Sequence, residues 1–219
     1  MILVPIKMLI GAKQRLANIL TSEERLTLAR AMCLDVLQIL ANWRGRPPVA
    51  LVTTDSFARD LAARFNFEVI ADNNTGETSA IELATADCKA RGFKSTLILP
   101  ADIPLIDIAE LEKILSAAPP AGTVLVPDAA GRGTNAALRS PADLFPLRFG
   151  NDSYLPHFAA AKATGLPCVV LQLPGIARDI DRPEDLLELA AVSGDRQSQK
   201  LARSWNLSSR TVAQSSVSI

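Results

Sequence analysis

A chain of 219 residues, 48% of them hydrophobic, has enough material for one sizeable core and is too apolar for a disordered protein. Its 23 basic and 23 acidic residues cancel to a formal net charge of zero, which argues against a protein that lives on nucleic acid or acidic membranes, so any anion site must be local. Cys33, Cys88 and Cys168 are odd in number, far apart and without a C-x-x-C pair, and read as buried thiols of a cytoplasmic protein.

The opening MILVPI predicts a first strand buried on both faces. Lys7 then interrupts the apolar run and no charged segment precedes it, so no secretory signal is expected; no run approaches the ~20 residues of a membrane span. TSEERLTLARAMCLDVLQILANW sets Thr21 and Glu24 at capping-box spacing, and Leu26, Ala29, Met32, Cys33, Val36, Leu37 and Leu40 recur as one helical face. PVALVTT predicts a second strand, DSFARDLAARF a helix capped by Asp55, FEVIA a short third strand, and TSAIELATADCKARG a helix ending at Gly92. STLILPAD is a fourth strand running into Pro100 and Asp102, followed by the helix DIAELEKILSAA and the strand GTVLVP. The next stretch, DAAGRGTNAALRSPADLFPLRFGNDS, is rich in Gly, Asn, Pro and Asp, with NAALR as a short strand inside it. A helix from Tyr154 to Thr164, a strand in PCVVLQL and a last helix in RPEDLLELAAV complete the pattern. Continuous apolar strands alternating with amphipathic helices imply a mostly parallel sheet covered on both faces, an α/β Rossmann-like three-layer sandwich. Residues 1–192 form this domain; residues 193–219 turn to Ser, Gln and Arg, a polar tail that is either mobile or a short appended helix without a catalytic role.

Ligands of open α/β sheets bind at the carboxyl ends of the strands, and three features fall there. KMLIGAKQRL puts Lys7, Lys13 and Arg15 past the first strand, either as a solvated basic loop or as a cradle for polyphosphate; it has neither P-loop nor G-x-G-x-x-G spacing. Asp102 ends a buried apolar strand, where a carboxylate is costly without a partner, although it could cap the turn that Pro104 forces. In DIDRPEDL, Asp179 and Asp181 face one way and Ile180 the other on an extended chain, while Asp181 with Glu184 and Pro183 also fits a capping box and a helix start. If the three carboxylates converge they make a hard-oxygen site, for which Mg²⁺ is the natural occupant, since His and Cys are too sparse for zinc. VPDAAGRGTNAA supplies Asp128, Gly131, Gly133, Thr134 and Asn135, and RFGNDS supplies Arg148, Gly150 and Ser153, the last at a helix N-terminus; each loop alone is equally a turn. His157, the single histidine, reads as a packing or surface residue inside its helix.

Taken as a set, VPIKMLIGAKQRL, LILPADIPL, VPDAAGRGTNAAL, RFGNDSYLPHFAAA and ARDIDRPEDL resemble the phospholactate guanylyltransferase family of coenzyme F-420 biosynthesis, in the family's order and over residues 1–190. The resemblance implies the glycosyltransferase-A-like nucleotidyltransferase fold. It also implies an enzyme that joins the GMP part of GTP to phosphoenolpyruvate, 3-phospho-D-glycerate or 2-phospho-L-lactate and releases pyrophosphate. By matching position, Asp102, Asp179 and Asp181 would hold one or two Mg²⁺ ions and, with Lys7 and Lys13, form the catalytic set. Lys7, Lys13 and Arg15 would meet the GTP phosphates, and Thr134, Asn135, Gly150 and Ser153 the acid. One departure is the Gly-Leu-Asn-Ala stretch usual at the third helix; here TGETSAIE, Thr75 to Glu82, offers Glu77 to the guanine N1–H and 2-amino group. No nucleic-acid or membrane partner is expected, and a homodimer is compatible with the chain. Two other classes remain open: a sugar-nucleotide glycosyltransferase on the same fold, and a non-catalytic nucleotide-binding module.

Overall fold

In the computed structural model the described residues are 1–72, 76–207 and 210. They form β1 (Ile2–Pro5), α1 (Ser22–Asn42), β2 (Val49–Val52), α2 (Ser56–Phe65), β3 (Glu68–Ile70), α3 (Glu77–Ala90), β4 (Thr96–Ile98), α4 (Ile108–Ala117), β5 (Gly122–Pro127), β6 (Thr134–Ser140), α5 (Tyr154–Ala163), β7 (Cys168–Val170), α6 (Pro183–Ala191) and α7 (Gln197–Ser204). A 3₁₀ turn, Gln14–Leu16, lies between β1 and α1. Thr75 of the TGETSAIE stretch lies outside the described residues, and Glu77 opens α3.

The strands form one sheet in the order β3-β2-β1-β4-β6-β5-β7, parallel except where β6 pairs with β4 and with β5. The expected three-layer sandwich follows from the period of two along each strand. Ile2 and Val4 pack with Ala29, Val36 and Leu40 of α1, Leu61 of α2 and Leu111 and Ile114 of α4 on one face. Leu3 turns to the other face and packs with Ile81 and Ala84 of α3 and Ala161 of α5. Each such fully buried aliphatic side chain contributes about 1.5–3 kcal/mol from the area it removes from water. β3 is the exception to the buried-strand pattern: it is an edge strand, with Glu68 and Val69 exposed.

The helix starts follow their local chemistry. Thr21 and Glu24 close a reciprocal capping box, and the Asp55 and Asp107 carboxylates accept from the first turns of α2 and α4. The Asp181–Glu184 box expected at α6 does not form. Asp185 reaches back instead, accepting from the Arg182 and Asp181 N–H groups at 2.7 and 3.0 Å, which leaves the Asp181 carboxylate free of capping. Cys33 and Cys88 are buried as expected, but Cys168, on the edge strand β7, is only half-buried.

The described part of the tail is packed. Ala202 of α7 and Leu207 beyond it join a third cluster with Leu28 and Met32 of α1, Leu186 and Leu189 of α6, and Ile180. The buried Asp35 of α1 caps α7 from outside, accepting from Gln197 N and Ser198 N, both at 2.9 Å, and from Ser198 Oγ at 2.6 Å. Asp35→Ala strands three donors at once and is expected to lower stability by about 2 kcal/mol, read as a fall in the urea midpoint at unchanged slope. An unchanged midpoint would show that α7 is held by its apolar contacts alone.

Candidate active site

The strand order reverses direction at β1, so β1 and β4 border the switch point where an α/β sheet opens a crevice at its carboxyl edge. Past β1 the basic loop is stapled to the neighbouring β–α turn. The Thr53 hydroxyl donates to Ile6 O at 2.6 Å, and Asp55, besides capping α2, accepts from Leu9 N at 2.9 Å. The loop delivers Lys13 in the left-handed region, φ 56° and ψ 43°, a conformation that costs a residue with a Cβ about 1 kcal/mol and tends to persist where function demands it.

Lys13 Nζ stands between two carboxylates, 2.7 Å from Asp102 Oδ2 and 2.8 Å from Asp181 Oδ1. Burial works to lower its pKa, but the two carboxylates outweigh it, and Lys13 is held as an ammonium. Asp181 also meets Arg15 Nη1 at 3.1 Å; burial works to raise its pKa, and Lys13 and Arg15 together carry it below the usual carboxylate range. Ile180 N donates to Asp102 O at 3.0 Å, which lays the DIDRPEDL segment beside the turn that follows β4. Ile180 is buried behind it, so Asp179 and Asp181 are turned forward as the alternation predicts.

Asp179 is the unbalanced member. Its Oδ1 accepts from Asn135 Nδ2 at 3.0 Å, and burial, followed by the negative charges of Asp102 and Asp181, pushes its pKa up to about 6 against that hydrogen bond. Asn135 also donates to Ile176 O at 2.9 Å, and the buried Glu110 of α4 accepts from Gly175 N and Ile176 N at 2.8 and 2.9 Å. Gly175 is required there, because a Cβ would lie 2.5 Å from Leu105 O.

The other wall comes from the glycine-rich loop and the turn before α5. Asp128 accepts from Arg132 N and Gly133 N at 2.8 and 2.7 Å, an Asx-type closure that leaves no room for a side chain at Gly133, whose Cβ would lie 2.8 Å from Asp128 Oδ2. Thr134 N donates to Ser153 Oγ at 3.0 Å. Behind them the buried His157 is bonded through both ring nitrogens, Nε2 accepting from Arg148 N at 2.7 Å and Nδ1 lying 2.9 Å from Thr134 Oγ1.

These walls enclose two adjoining cavities. The first, about 430 Å³, is lined by Asp102, Thr134, Asn135, Gly150, Ser153 and Asp179, with Asp128, Arg15 and Arg132 at its margin. The second, about 450 Å³, lies against β1 and the start of α3, with Lys7, Lys13, Ala29, Met32 and Ala80 in its lining. Asp102, Asp181 and Glu77 belong to both.

The expected residues thus gather at one sheet edge, with three particulars. Arg15 faces the first cavity, bridging Asp181 and, through Nη2 at 2.9 Å, Asn151 Oδ1. Lys7 turns away from the carboxylates and pairs with Glu77 at 3.1 Å, so Glu77 can reach a base only with its other oxygen or by exchanging Lys7. And among the described residues no three His, Cys, Asp or Glu side chains group closely enough to enclose a metal, because Lys13 keeps Asp102 and Asp181 on either side of its ammonium. The donor chemistry still fits a hard cation: Asp102 from the turn after β4 and Asp179 and Asp181 from the segment before α6 line one cavity, and Asp179 is short of positive charge.

Sequence reasoning missed Glu110, Asn151 and the role of His157. Glu110 reads as an ordinary first-turn acid of α4, and Asn151 as one polar residue of a turn. His157, being unique in the chain, was the one visible signal.

Burial, aided by Arg139, lowers the His157 pKa from 6.5 to about 4. The unfolded chain therefore takes up a proton near pH 6.5 that the native state refuses until about pH 4, so stability falls with pH across that window. Relative to His157→Gln, the wild type should lose about 2 kcal/mol between pH 7.5 and pH 5. Parallel urea midpoints of the two proteins over that range would show the histidine to be protonated already in the fold.

A family model described as guanylyl transferase, CofC like, matches residues 1–218. The chain is 37% identical over 187 residues to phosphoenolpyruvate guanylyltransferase of Sphaerobacter thermophilus, covering 85% of this chain and 90% of that protein. It is 34% identical over 192 residues to 3-phospho-D-glycerate guanylyltransferase of Colwellia psychrerythraea, covering 88% and 91%. Its fold is similar to a solved nucleotide-diphospho-sugar transferase structure from Desulfovibrio desulfuricans, with a TM-score of 0.76 at 19% identity and 93% of each chain covered. Family match, identity over most of the chain and fold agree: the chain belongs to the CofC-like guanylyl transferase family, nucleotidyltransferases of the glycosyltransferase-A-like fold.

Proposed function

We propose that the enzyme transfers the GMP part of GTP to a small phosphorylated carboxylic acid, phosphoenolpyruvate, 3-phospho-D-glycerate or 2-phospho-L-lactate, giving a GDP-linked acid and pyrophosphate in coenzyme F-420 biosynthesis. The observation that carries this reading is the pair of cavities meeting at Asp102 and Asp181 with Lys13 between them. One cavity has apolar walls and two lysines, suited to a nucleotide and its phosphates. The other has hydroxyls, a glycine-rich loop and arginines, suited to a small acid anion.

An oxygen of the acid's phosphate attacks the α-phosphorus of GTP, the new P–O bond forms, and the bond from the α-phosphorus to the bridging oxygen breaks as pyrophosphate leaves. The attacking oxygen is already anionic near neutral pH, so no general base is needed; in-line positioning and charge neutralisation are. Lys13 and Lys7 neutralise the triphosphate, while Thr134, Ser153 and the Gly150 backbone hold the acid and Arg15 clasps the margin of its cavity. Asp102, Asp179 and Asp181 are the residues that would hold one or two Mg²⁺ ions, which when bound neutralise charge on the reacting and departing phosphates.

The test is to incubate the protein with GTP, Mg²⁺ and each acid in turn, following pyrophosphate and product mass. Pyrophosphate with one acid and a product of the summed mass supports the reading. No pyrophosphate with any acid would sink it. Free nucleoside diphosphate from a sugar nucleotide would point to glycosyl transfer, and GTP binding without turnover to a binding module.

A further inference from the structure

The single histidine of the chain is bonded so that its tautomer follows from the backbone. Arg148 N–H can only donate, so His157 Nε2 must carry the lone pair; in a neutral ring the proton then sits on Nδ1. Nδ1–H donates to Thr134 Oγ1, 2.9 Å away, and so occupies an acceptor position of that hydroxyl. Ser153 is set the same way, because its Oγ accepts from Thr134 N at 3.0 Å. Both residues line the first cavity and are otherwise buried, and among the described residues neither hydroxyl has an acceptor for its proton once His157 Nδ1 is the donor to Thr134. Each of the two neighbouring hydroxyls has one of its two lone pairs engaged from behind and keeps its proton for whatever fills the cavity.

We infer that His157 is a positioning residue that fixes the Thr134 hydroxyl as a donor to the acid's anionic oxygens, and through Arg148 N ties the Arg148–Ser153 turn to the same ring. The histidine does not touch the substrate; it sets the polarity of the group that does. The pair thus favours an acceptor-only ligand, a phosphate or a carboxylate, over one bearing a hydroxyl donor at that point, because one lone pair of each oxygen is already taken. T-shaped packing on Phe149, with ring centroids 5.1 Å apart, holds the imidazole plane.

This inference rests on the reading of the first cavity as the acid's site, and two measurements separate their failures. The first needs no activity. In the untagged, uniformly ¹⁵N-labelled chain there is one imidazole, and at pH 7 its one-bond proton coupling should appear on Nδ1 and be absent from Nε2. A proton on Nε2, or on both nitrogens, would overturn the arrangement whatever the enzyme does. The second is a cycle over Thr134→Val, His157→Gln and the double variant, with phosphoenolpyruvate and GTP binding measured by calorimetry. His157→Gln keeps the acceptor for Arg148 N–H and loses the donor to Thr134. It should weaken phosphoenolpyruvate about tenfold, as for loss of one oriented hydrogen bond, with GTP affinity within twofold. In the Thr134→Val background the same change should cost nothing more. His157→Asn, whose amide can replace the Nδ1–H donor, should restore most of the acid affinity. Additive losses, or an equal loss for GTP and acid, would mean a structural role only and would overturn the inference. Wild-type protein that shows the Nδ1–H tautomer but binds none of the acids would refute the positioning role and the assignment of the cavity together. Acid binding with the predicted cycle but no pyrophosphate would refute the proposed reaction while leaving this inference standing.

Discussion

Asp179→Ala should reduce turnover by about 10³-fold while the protein folds as well as, or better than, the wild type. The site holds more carboxylate than cation: Lys13 balances Asp102 and Asp181, Arg15 adds to Asp181, and Asp179 is left with one amide from Asn135. Its pKa, pushed up to about 6, lies above its unfolded value, so the native state disfavours the charged form. The sign is that of a group whose penalty on the native state builds as pH rises from 3.8 to about 6 and is fully present above, which makes Asp179→Asn or Asp179→Ala stabilising at pH 7.5. Allowing for partial exposure and for loss of the Asn135 bond, the gain is about 1–2 kcal/mol. A residue that costs stability and has no capping duty is kept for chemistry, and the chemistry here is holding positive charge against phosphates. Asp102→Ala should lose turnover comparably. Thermal melting and pyrophosphate release on the same preparations decide the matter; near-normal rates in both variants would end the metal hypothesis.

Lys13→Met should cost about 10²-fold or more in turnover and, unlike the aspartate changes, about 3 kcal/mol in stability. The Lys13 side chain is 9% exposed, and its ammonium bridges two carboxylates of different chain segments, 89 and 168 residues away. Removing it leaves two carboxylates, each about a third exposed, facing one another without their cation, which puts the cost at the low end of that for breaking a buried pair. The compensating test is Lys13→Met with Asp102→Asn: the double variant should recover part of the melting temperature because the excess negative charge is reduced, yet remain inactive. A double variant that regained activity would show that Lys13 serves the fold and not the phosphates. Lys13→Arg should fail too, since a point-like ammonium fits between the two carboxylates where a planar guanidinium does not.

Much of the fold could be read locally because its signals are local. The Thr21–Glu24 box, the Asp55 cap and the alternation of Ile2, Leu3 and Val4 each depend on residues within four of one another. The reading failed where several local solutions were equally good. At DIDRPEDL, Glu184 and Asp185 both lie within reach of the turn; Asp185 takes the N–H groups, and Asp181 is released to Lys13. In the tail, of the two expected alternatives the short appended helix is the one that forms, as α7; Ala202 and Leu207 are too few to show its helical period, and their partners on α1 and α6 are distant in sequence.

Which residues carry charge, hydroxyls and backbone freedom, and that three aspartates follow apolar runs, is written in the amino-acid order alone. That they meet is a consequence of how the strands pair. The decisive element is β6, the antiparallel strand in a parallel sheet: Ile98 pairs with Ala137, so the first residues of β6 lie beside the last residues of β4. That reversal brings Thr134 and Asn135 to the edge occupied by Lys13, Asp102 and Asp179, whereas a parallel β6 would carry them to the far end of the sheet. Strand direction depends on pairings between segments about forty residues apart and on the crossover that returns the chain, and neither leaves a mark in the period-two pattern of NAALR. The same holds for Arg15, Glu110 and His157: their types are plain in the sequence, but their roles belong to the partners that folding supplies.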